Sequence, residues 1–196
     1  MTAPISDPDA ALVRSAGAGD KRAAEALVRK HLPRVLGLAR RMLRDAAAAE
    51  DVAQETFLRV WRSAPDWTPG PAKFETWMHR VTLNLCYDRL RRRREVSDAE
   101  AGLDRADQGP NPGDAWLARQ RAAQVRAALD ALPERQKAAL TLCHFQEMTN
   151  IEAAAALEIS VEALESLLAR GRRALRASLA ETANDLMGPL DHGQTE

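Results

Sequence analysis

Between Val96 and Gly113 the chain carries two prolines, three glycines and the acids Asp98, Glu100, Asp104 and Asp107, with almost nothing apolar to bury. Such a segment cannot offset the entropy of ordering itself, so a flexible acidic linker over 96–113 is expected. It divides the 196 residues into two parts, 1–95 and 114–183, each able to bury a modest core of its own. The apolar residues on either side are mostly Ala and Leu, and only 4% of the chain is aromatic, which favours helix over strand. An all-α protein of two small helical domains is expected, with a disordered tail over 184–196.

Caps and breakers divide the first part further. Asp7 before Pro8 predicts a short helix that Gly17 and Gly19 interrupt. Asp20 can cap a second helix towards Leu43, bent or broken near Pro33, and Asp45 a third from Ala46 to about Ser63. Pro65 to Pro71 reads as a loop, and a long helical pattern resumes from Ala72 to about Arg94. Beyond the linker, helices are expected from about Asp114 to Ala131, Pro133 to Gln146, Asn150 to Leu157 and Val161 to about Ala183.

The formal net charge is zero, but it is unevenly spread: residues 1–95 hold 18 Lys/Arg against 12 Asp/Glu, and 132–196 hold 6 against 10. Basic character therefore lies in the first half, with a second small cluster at Arg170, Arg172, Arg173 and Arg176. Cys86 and Cys143 sit in amphipathic stretches without CxxC or His-rich spacing, and are expected to be buried thiols rather than metal ligands or a disulfide. No cofactor is expected. The start has no apolar core and no run of 18 apolar residues exists, so a soluble, cytoplasmic protein without membrane insertion is expected.

The strongest local pattern lies between Leu132 and Leu179. Thr149 with Glu152 three residues on forms a capping-box signature ahead of Ala153 to Ala156, small residues that let another helix approach. Glu158 and Ile159 make the break, and Ser160 is a good N-cap for the helix that follows. Helix, short turn, helix is the pattern that lays its second member in the major groove of duplex DNA. Leu164, Leu168, Leu175 and Leu179 form its buried stripe, while Glu162, Ser166, Ala169, Arg170 and Arg173 point away. An ordinary amphipathic hairpin with a solvated arginine face is the bland alternative; arginines gathered at one end favour contacts to phosphate or bases.

Two stripes run along the helix from Phe74 to Arg94. Phe74, Met78, Val81 and Leu85 form the packed face. Trp77, Arg80, Asn84, Tyr87 and Arg91 recur at spacings of 3 and 4 about 80° to 100° around it, and Arg91 to Arg94 follow directly. Aromatic faces for bases, an amide for an edge and cations for the backbone are what single-stranded nucleic acid needs. Core aromatics beside a merely soluble arginine surface would give the same string.

In the third helix Ala49, Val52, Ala53, Thr56 and Val60 make the buried side, leaving Asp51, Gln54, Leu58 and Trp61 roughly opposite. A large apolar pair exposed among polar groups suits a partner protein, unless another helix of the bundle covers it.

With these strings the chain resembles an extracytoplasmic-function (group 4) sigma factor of bacterial RNA polymerase, over nearly its whole length. Ala49-Glu50-Asp51-Val52-Ala53-Gln54-Glu55-Thr56-Phe57-Leu58-Arg59-Val60-Trp61 resembles the region 2.2 helix, which binds the coiled coil of the largest polymerase subunit; the resemblance adds Glu55 to that site. Phe74 to Met78 and Asn84 to Arg93 resemble regions 2.3 and 2.4, which melt and read the −10 promoter element, and add Asp88 to the stripe. Leu132-Pro133-Glu134-Arg135-Gln136 and the helix-turn-helix resemble region 4, reader of the −35 element, where Ser166, Arg170 and Arg172 fit the family pattern beside Arg173. Glu165 and Leu167 depart from it, standing where basic residues are usual, and Glu158 stands where Gly is common in the turn.

The resemblance implies an alternative, non-catalytic initiation factor, of the kind used in stress responses, that is monomeric when free. It binds core RNA polymerase, recognises and melts promoter DNA and is held inactive by an anti-sigma factor. The sequence agrees in offering no nucleophile and base pair, phosphate loop or metal-ligand set. One rival is a self-sufficient dimeric helix-turn-helix regulator, with 1–95 as its sensor or dimerisation domain. Another is a helical adaptor that only mimics sigma surfaces and would have no use for base-stacking aromatics.

Overall fold

The computed structural model describes residues 7–99 and 115–187, with side chains over 7–96 and 122–180. All regular structure among them is helical: α1 (Ala10–Gly17), α2 (Lys21–Leu43), α3 (Ala46–Ser63), α4 (Phe74–Ala99), α5 (Ala115–Asp130), α6 (Glu134–Leu140), α7 (Asn150–Leu157) and α8 (Val161–Met187). A 3₁₀ turn, Ala64–Asp66, follows α3, and a π turn, Thr141–Phe145, continues α6.

The expected caps close α2 and α3. Asp20 accepts from the N–H groups of Arg22 (2.8 Å) and Ala23 (3.4 Å), and Asp45 from that of Ala48 (3.0 Å). Three expectations need correcting. First, α2 is unbroken at Pro33, although an interior proline costs about 3 kcal/mol. Its buried face, with Leu27 and His31 before the proline and Val35, Leu38 and Met42 after it, packs as one surface and outweighs that cost. Second, Asp7 does not open α1 itself: its carboxylate accepts from Asp9 N (2.9 Å) in a preceding turn, and the helix begins at Ala10. Third, the helix after Pro133 winds into the π turn from Thr141 on.

α4 continues to Ala99, past the expected start of the linker, and residues 100–113 lie outside the described part. Likewise α8 runs to Met187, past Asn184 where the tail was expected to begin; 188–196 lie outside.

Two apolar clusters hold the helices together. The first gathers Val13, Leu27, Val35, Phe57, Val60, Phe74 and Met78 from α1 to α4. Gly17 lets α1 end directly on the 3₁₀ turn, where a Cβ would come within 2.4 Å of the Ala64 carbonyl oxygen. The second is shared by both halves of the chain: Leu38, Met42, Leu83 and Cys86 from α2 and α4 join Leu132, Leu140, Leu142, Ala153, Leu157, Leu164 and Leu168 from the C-terminal half. α4 lies against α7, and α2 against α6 and the π turn.

Polar groups clasp the same seam. Lys137, 5% exposed, donates to the carbonyl of Met42 at the C-terminal end of α2 (3.4 Å) and pairs with Asp130 (2.5 Å). Asp130 also takes Arg44 at 2.8 Å, and buried Gln146 donates to the Arg34 carbonyl at 3.1 Å. Both bonds from region α6–π turn end on carbonyls of α2. The sequence predicts two parts and says nothing of the core cluster they share.

Candidate nucleic-acid interface

The helix-turn-helix has its expected local chemistry. Thr149 Oγ1 accepts from Glu152 N (3.3 Å) while Glu152 Oε2 accepts from Thr149 N (3.0 Å), a reciprocal capping box. Ala153, Ala154 and Ala156 are buried, which brings α7 close to its neighbours. Glu158 takes the left-handed conformation, φ 54°, at the position where glycine would be unstrained. Ser160 Oγ accepts from Ala163 N at 3.2 Å and opens α8.

On α8, Leu164 and Leu168 are buried, Leu175 and Leu179 half-buried, and Gly171 presses on Leu140, whose Cδ1 would lie 2.8 Å from an added Cβ. Ser166, Arg170, Arg172 and Arg173 are exposed together with Glu162, Glu165 and Ala169. Arg170 Nε donates to the Ser166 carbonyl (3.1 Å). Arg172 instead reaches back to His144 Nε2 in the π turn, 3.3 Å away. Glu165 accepts from Asn150 Nδ2 at 3.4 Å, and Leu167 is half-buried against the shared cluster, so packing accounts for that apolar side chain.

The stripe on α4 is less open than its sequence suggests. Asn84 and Arg91 are exposed; Trp77, Arg80, Tyr87 and Asp88 are half-buried. Trp77 packs on the first cluster, its ring tilted against Phe74 with centroids 5.7 Å apart. Tyr87 packs on the shared cluster, its hydroxyl is buried without a hydrogen-bond partner, and burial pushes the phenol up to about 12. Asp88 accepts from Arg91 at 3.0 Å. Arg80 donates to Glu158 on the helix-turn-helix at 3.0 Å.

Two cations belong to this row that the pattern of aromatics did not single out: Lys73, four residues before Trp77, and Arg94, three after Arg91. Lys73 donates to Glu152 (2.7 Å), and Arg94 to Glu134 at the start of α6. The Glu152 carboxyl is held below the usual carboxylate range by its bond from Lys73, and the Lys73 ammonium is raised in turn. The 4-3-4-3 spacing could have found both residues.

On α3, Asp51, Gln54 and Leu58 are exposed and Glu55 is half-buried. They line one side of a groove of about 470 Å³ whose other side is Leu85, Asp88, Arg89 and Arg92 of α4. Arg89 reaches across it to Asp51 at 2.8 Å. Trp61 is not part of this groove. It is half-buried against the first cluster, tilted against Phe57 at 6.1 Å, and lines a separate cleft with Gly19, Lys21 and Ala24.

No group of His, Cys, Asp or Glu among the described residues could hold a metal ion, and no helix there is long and apolar enough to cross a membrane. Cys86 is buried, its thiol pushed up to about 12 by burial; Cys143 is half-buried, and neither is bonded to another cysteine.

Comparison with known proteins finds both parts. The family model for sigma-70 region 2 matches residues 27–96, and that for sigma-70 region 4 matches residues 122–175. The chain is 38% identical over 162 residues to the ECF RNA polymerase sigma factor SigE of Mycolicibacterium smegmatis, covering 81% of this chain and 62% of that relative's length. It is 31% identical over 183 residues to the RNA polymerase sigma-H factor of Pseudomonas aeruginosa, covering 88% and 94% respectively. Among solved structures, CnrH in complex with the cytosolic domain of CnrY superposes with a TM-score of 0.70 at 28% identity, over 89% of this chain and 99% of that one. The sigma factor RpoE of Bartonella quintana, solved with the anti-sigma factor NepR, shares the fold (TM-score 0.65, 22% identity, 80% and 96% covered).

Proposed function

Because the chain belongs to the extracytoplasmic-function sigma factors of the sigma-70 family, we propose that it is an alternative sigma factor that binds core RNA polymerase and directs promoter recognition and melting. The observation that carries this reading is the presence, in order, of a base-stacking and basic stripe on α4 and an exposed Ser166, Arg170 and Arg173 face on α8. One surface suits an opened strand and the other suits a duplex. Trp77, Arg80, Asn84, Tyr87, Asp88 and Arg91 are assigned to the −10 element, and Ser166, Arg170, Arg172 and Arg173 to the −35 element. The groove of Asp51, Gln54, Glu55 and Leu58 is assigned to core polymerase, together with the half-buried Trp61 outside it.

Polymerase performs the chemistry; the chain contributes binding and strand separation and is not itself an enzyme. It acts in the cytoplasm, as a monomer until it meets polymerase. The likeness to CnrH bound to CnrY supports control by an anti-sigma factor. Run-off transcription with purified core polymerase and a genomic promoter pool tests the assignment: promoter-specific transcripts that appear only when the chain is added support it. Tight, specific binding to a palindromic duplex without polymerase, by a dimer, would instead establish a self-sufficient regulator.

A further inference from the structure

Lys73, immediately before α4, and Trp77, Arg80, Asn84, Tyr87, Arg91 and Arg94 along it follow one another at spacings of 4, 3, 4, 3, 4 and 3, which puts them in one row. Three cations of that row are occupied by three carboxylates of the C-terminal half: Glu152 on Lys73 (2.7 Å), Glu158 on Arg80 (3.0 Å) and Glu134 on Arg94. The acids sit at the first turn of α7, its C-cap and the first turn of α6. Between them Tyr87 is half-buried on the cluster that both halves share, beside Glu134 and Arg135, while Trp77 packs on the N-terminal cluster. Each carboxylate offers the α4 cations what a phosphate of a bound strand would offer: an anionic oxygen at hydrogen-bond distance.

We propose that the helix-turn-helix half is itself a competitor for the strand-binding face of α4, with Glu134, Glu152 and Glu158 standing in for the phosphates of single-stranded DNA. The chain by itself therefore rests in a self-blocked state in which one nucleic-acid surface, on α8, stays open while the other, on α4, has three of its four cations taken and keeps only Asn84 and Arg91 exposed. This rests on the assignment of the α4 stripe to the opened strand. The blocked state is held by an apolar seam as well as by the acids, so it is an equilibrium that the acids bias. An exposed ion pair shifts such an equilibrium by roughly 1.4- to 5-fold. Three together amount to about tenfold, and apparent strand affinity scales with the open fraction.

Full-length E134Q/E152Q/E158G tests this. Gln keeps the capping box at 152, and Gly relieves the left-handed backbone at 158, so the variant loses charge without losing its local fold. A charge-matched control, E25Q/D66N/E147Q, removes three exposed acids away from the stripe. The probe is a fluorescent 12-nucleotide single-stranded pool of random sequence, read by anisotropy, with small-angle scattering on the same samples.

The expected result is an affinity about tenfold above wild type with a larger radius of gyration for the triple variant, and a change under twofold for the control. Equal gains in both variants would make the effect one of net charge and overturn the proposal. So would an expanded triple variant with unchanged affinity, or one that stays as compact as wild type. Run-off transcription by the wild-type chain reports separately on the underlying reading. If wild type initiates, a negative result strikes the self-block alone; if it does not initiate, the strand assignment and the self-block fall together.

Discussion

Asp7 Oδ2 accepts from the main-chain N–H of Phe74 at 2.6 Å, so a carboxylate at the start of the chain caps the first turn of α4, the helix that carries the strand-binding stripe. Its other oxygen holds the turn into α1 through Asp9 N. One side chain thus satisfies donors at two helix starts, and favours both through its charge. Asp7→Ala is expected to cost about 1–2 kcal/mol in urea unfolding, the scale of a lost cap. Asp7→Asn, which keeps one of the two acceptor oxygens, should recover about half of it. Equal losses for Ala and Asn would show that the full carboxylate, with its charge and both oxygens, is what matters there.

Lys137 carries a similar responsibility at the seam between the halves. Its ammonium is buried against Asp130 and the Met42 carbonyl, and truncation leaves Asp130 only its bond from Arg44. Lys137→Ala is expected to destabilise the chain by about 2–3 kcal/mol, below the full cost of breaking a buried pair because Arg44 remains. Amide exchange should accelerate at the C-terminal end of α2 as well as in α6. Exchange confined to α6 would mean that the clasp does not couple the halves.

Acid sensitivity follows from two buried imidazoles. His31 and His79 are about 1% exposed or less, and burial lowers both below their ordinary 6.5. Around His31 stand Asp9, Glu75 and Lys30; around His79, Glu75 and Arg34, with Gln146 alongside. A base whose folded value is lowered takes up its proton more readily unfolded, so stability is complete above pH 6.5 and is lost as pH falls below it. The urea midpoint should be flat from pH 8 to 7 and decline from 6.5 to 5.5. His31→Gln with His79→Gln should flatten that decline; an unchanged slope would place the titrating groups elsewhere.

How much of this could be read from sequence depends on the range of the interaction. Caps at Asp20, Asp45, Thr149 and Ser160 act over two or three residues and were legible, as were the apolar stripe on α8 and the exposed Ser166, Arg170 and Arg173 face. Asp7 on Phe74, Gln146 on Arg34 and Lys73 on Glu152 join positions far apart in the chain, and no periodicity encodes them. Trp61 illustrates the limit well: helical spacing places it opposite the buried side of α3, but only the packed structure shows it half-buried on the first cluster and lining a cleft apart from the groove of Leu58. The domain halves looked independent because the linker hides the complementarity of α4 cations and α7 acids.

The α3–α4 groove separates polymerase binding from folding. Leu58 is 40% exposed there and supports no part of either core cluster. Leu58→Ala is therefore expected to change stability by less than about 0.5 kcal/mol while weakening binding to core polymerase at least tenfold, as a central apolar anchor would. Titration of labelled chain with core enzyme decides; full affinity in the Ala variant would move the polymerase contact away from this groove.

The arginines of α8 differ in what holds them, and that difference predicts different roles on the −35 duplex. Arg170 is exposed, and its Nε donates to the Ser166 carbonyl one turn back. Arg172 leans on His144 of the π turn, so its charge sits at the junction of α8 with the preceding segment. A phosphate contact releases about one counterion, and its removal lowers the slope of log affinity against log salt by about 1. Arg170→Ala is expected to weaken binding of the polymerase-bound chain to a −35 duplex, with the salt slope reduced by about 1 if phosphate is the target. An unchanged slope with altered base preference would make Arg170 a reader of base edges instead. His144→Ala should leave Arg170 untouched but free Arg172, so a change in duplex affinity there would show that the π turn sets how far the second arginine reaches towards DNA.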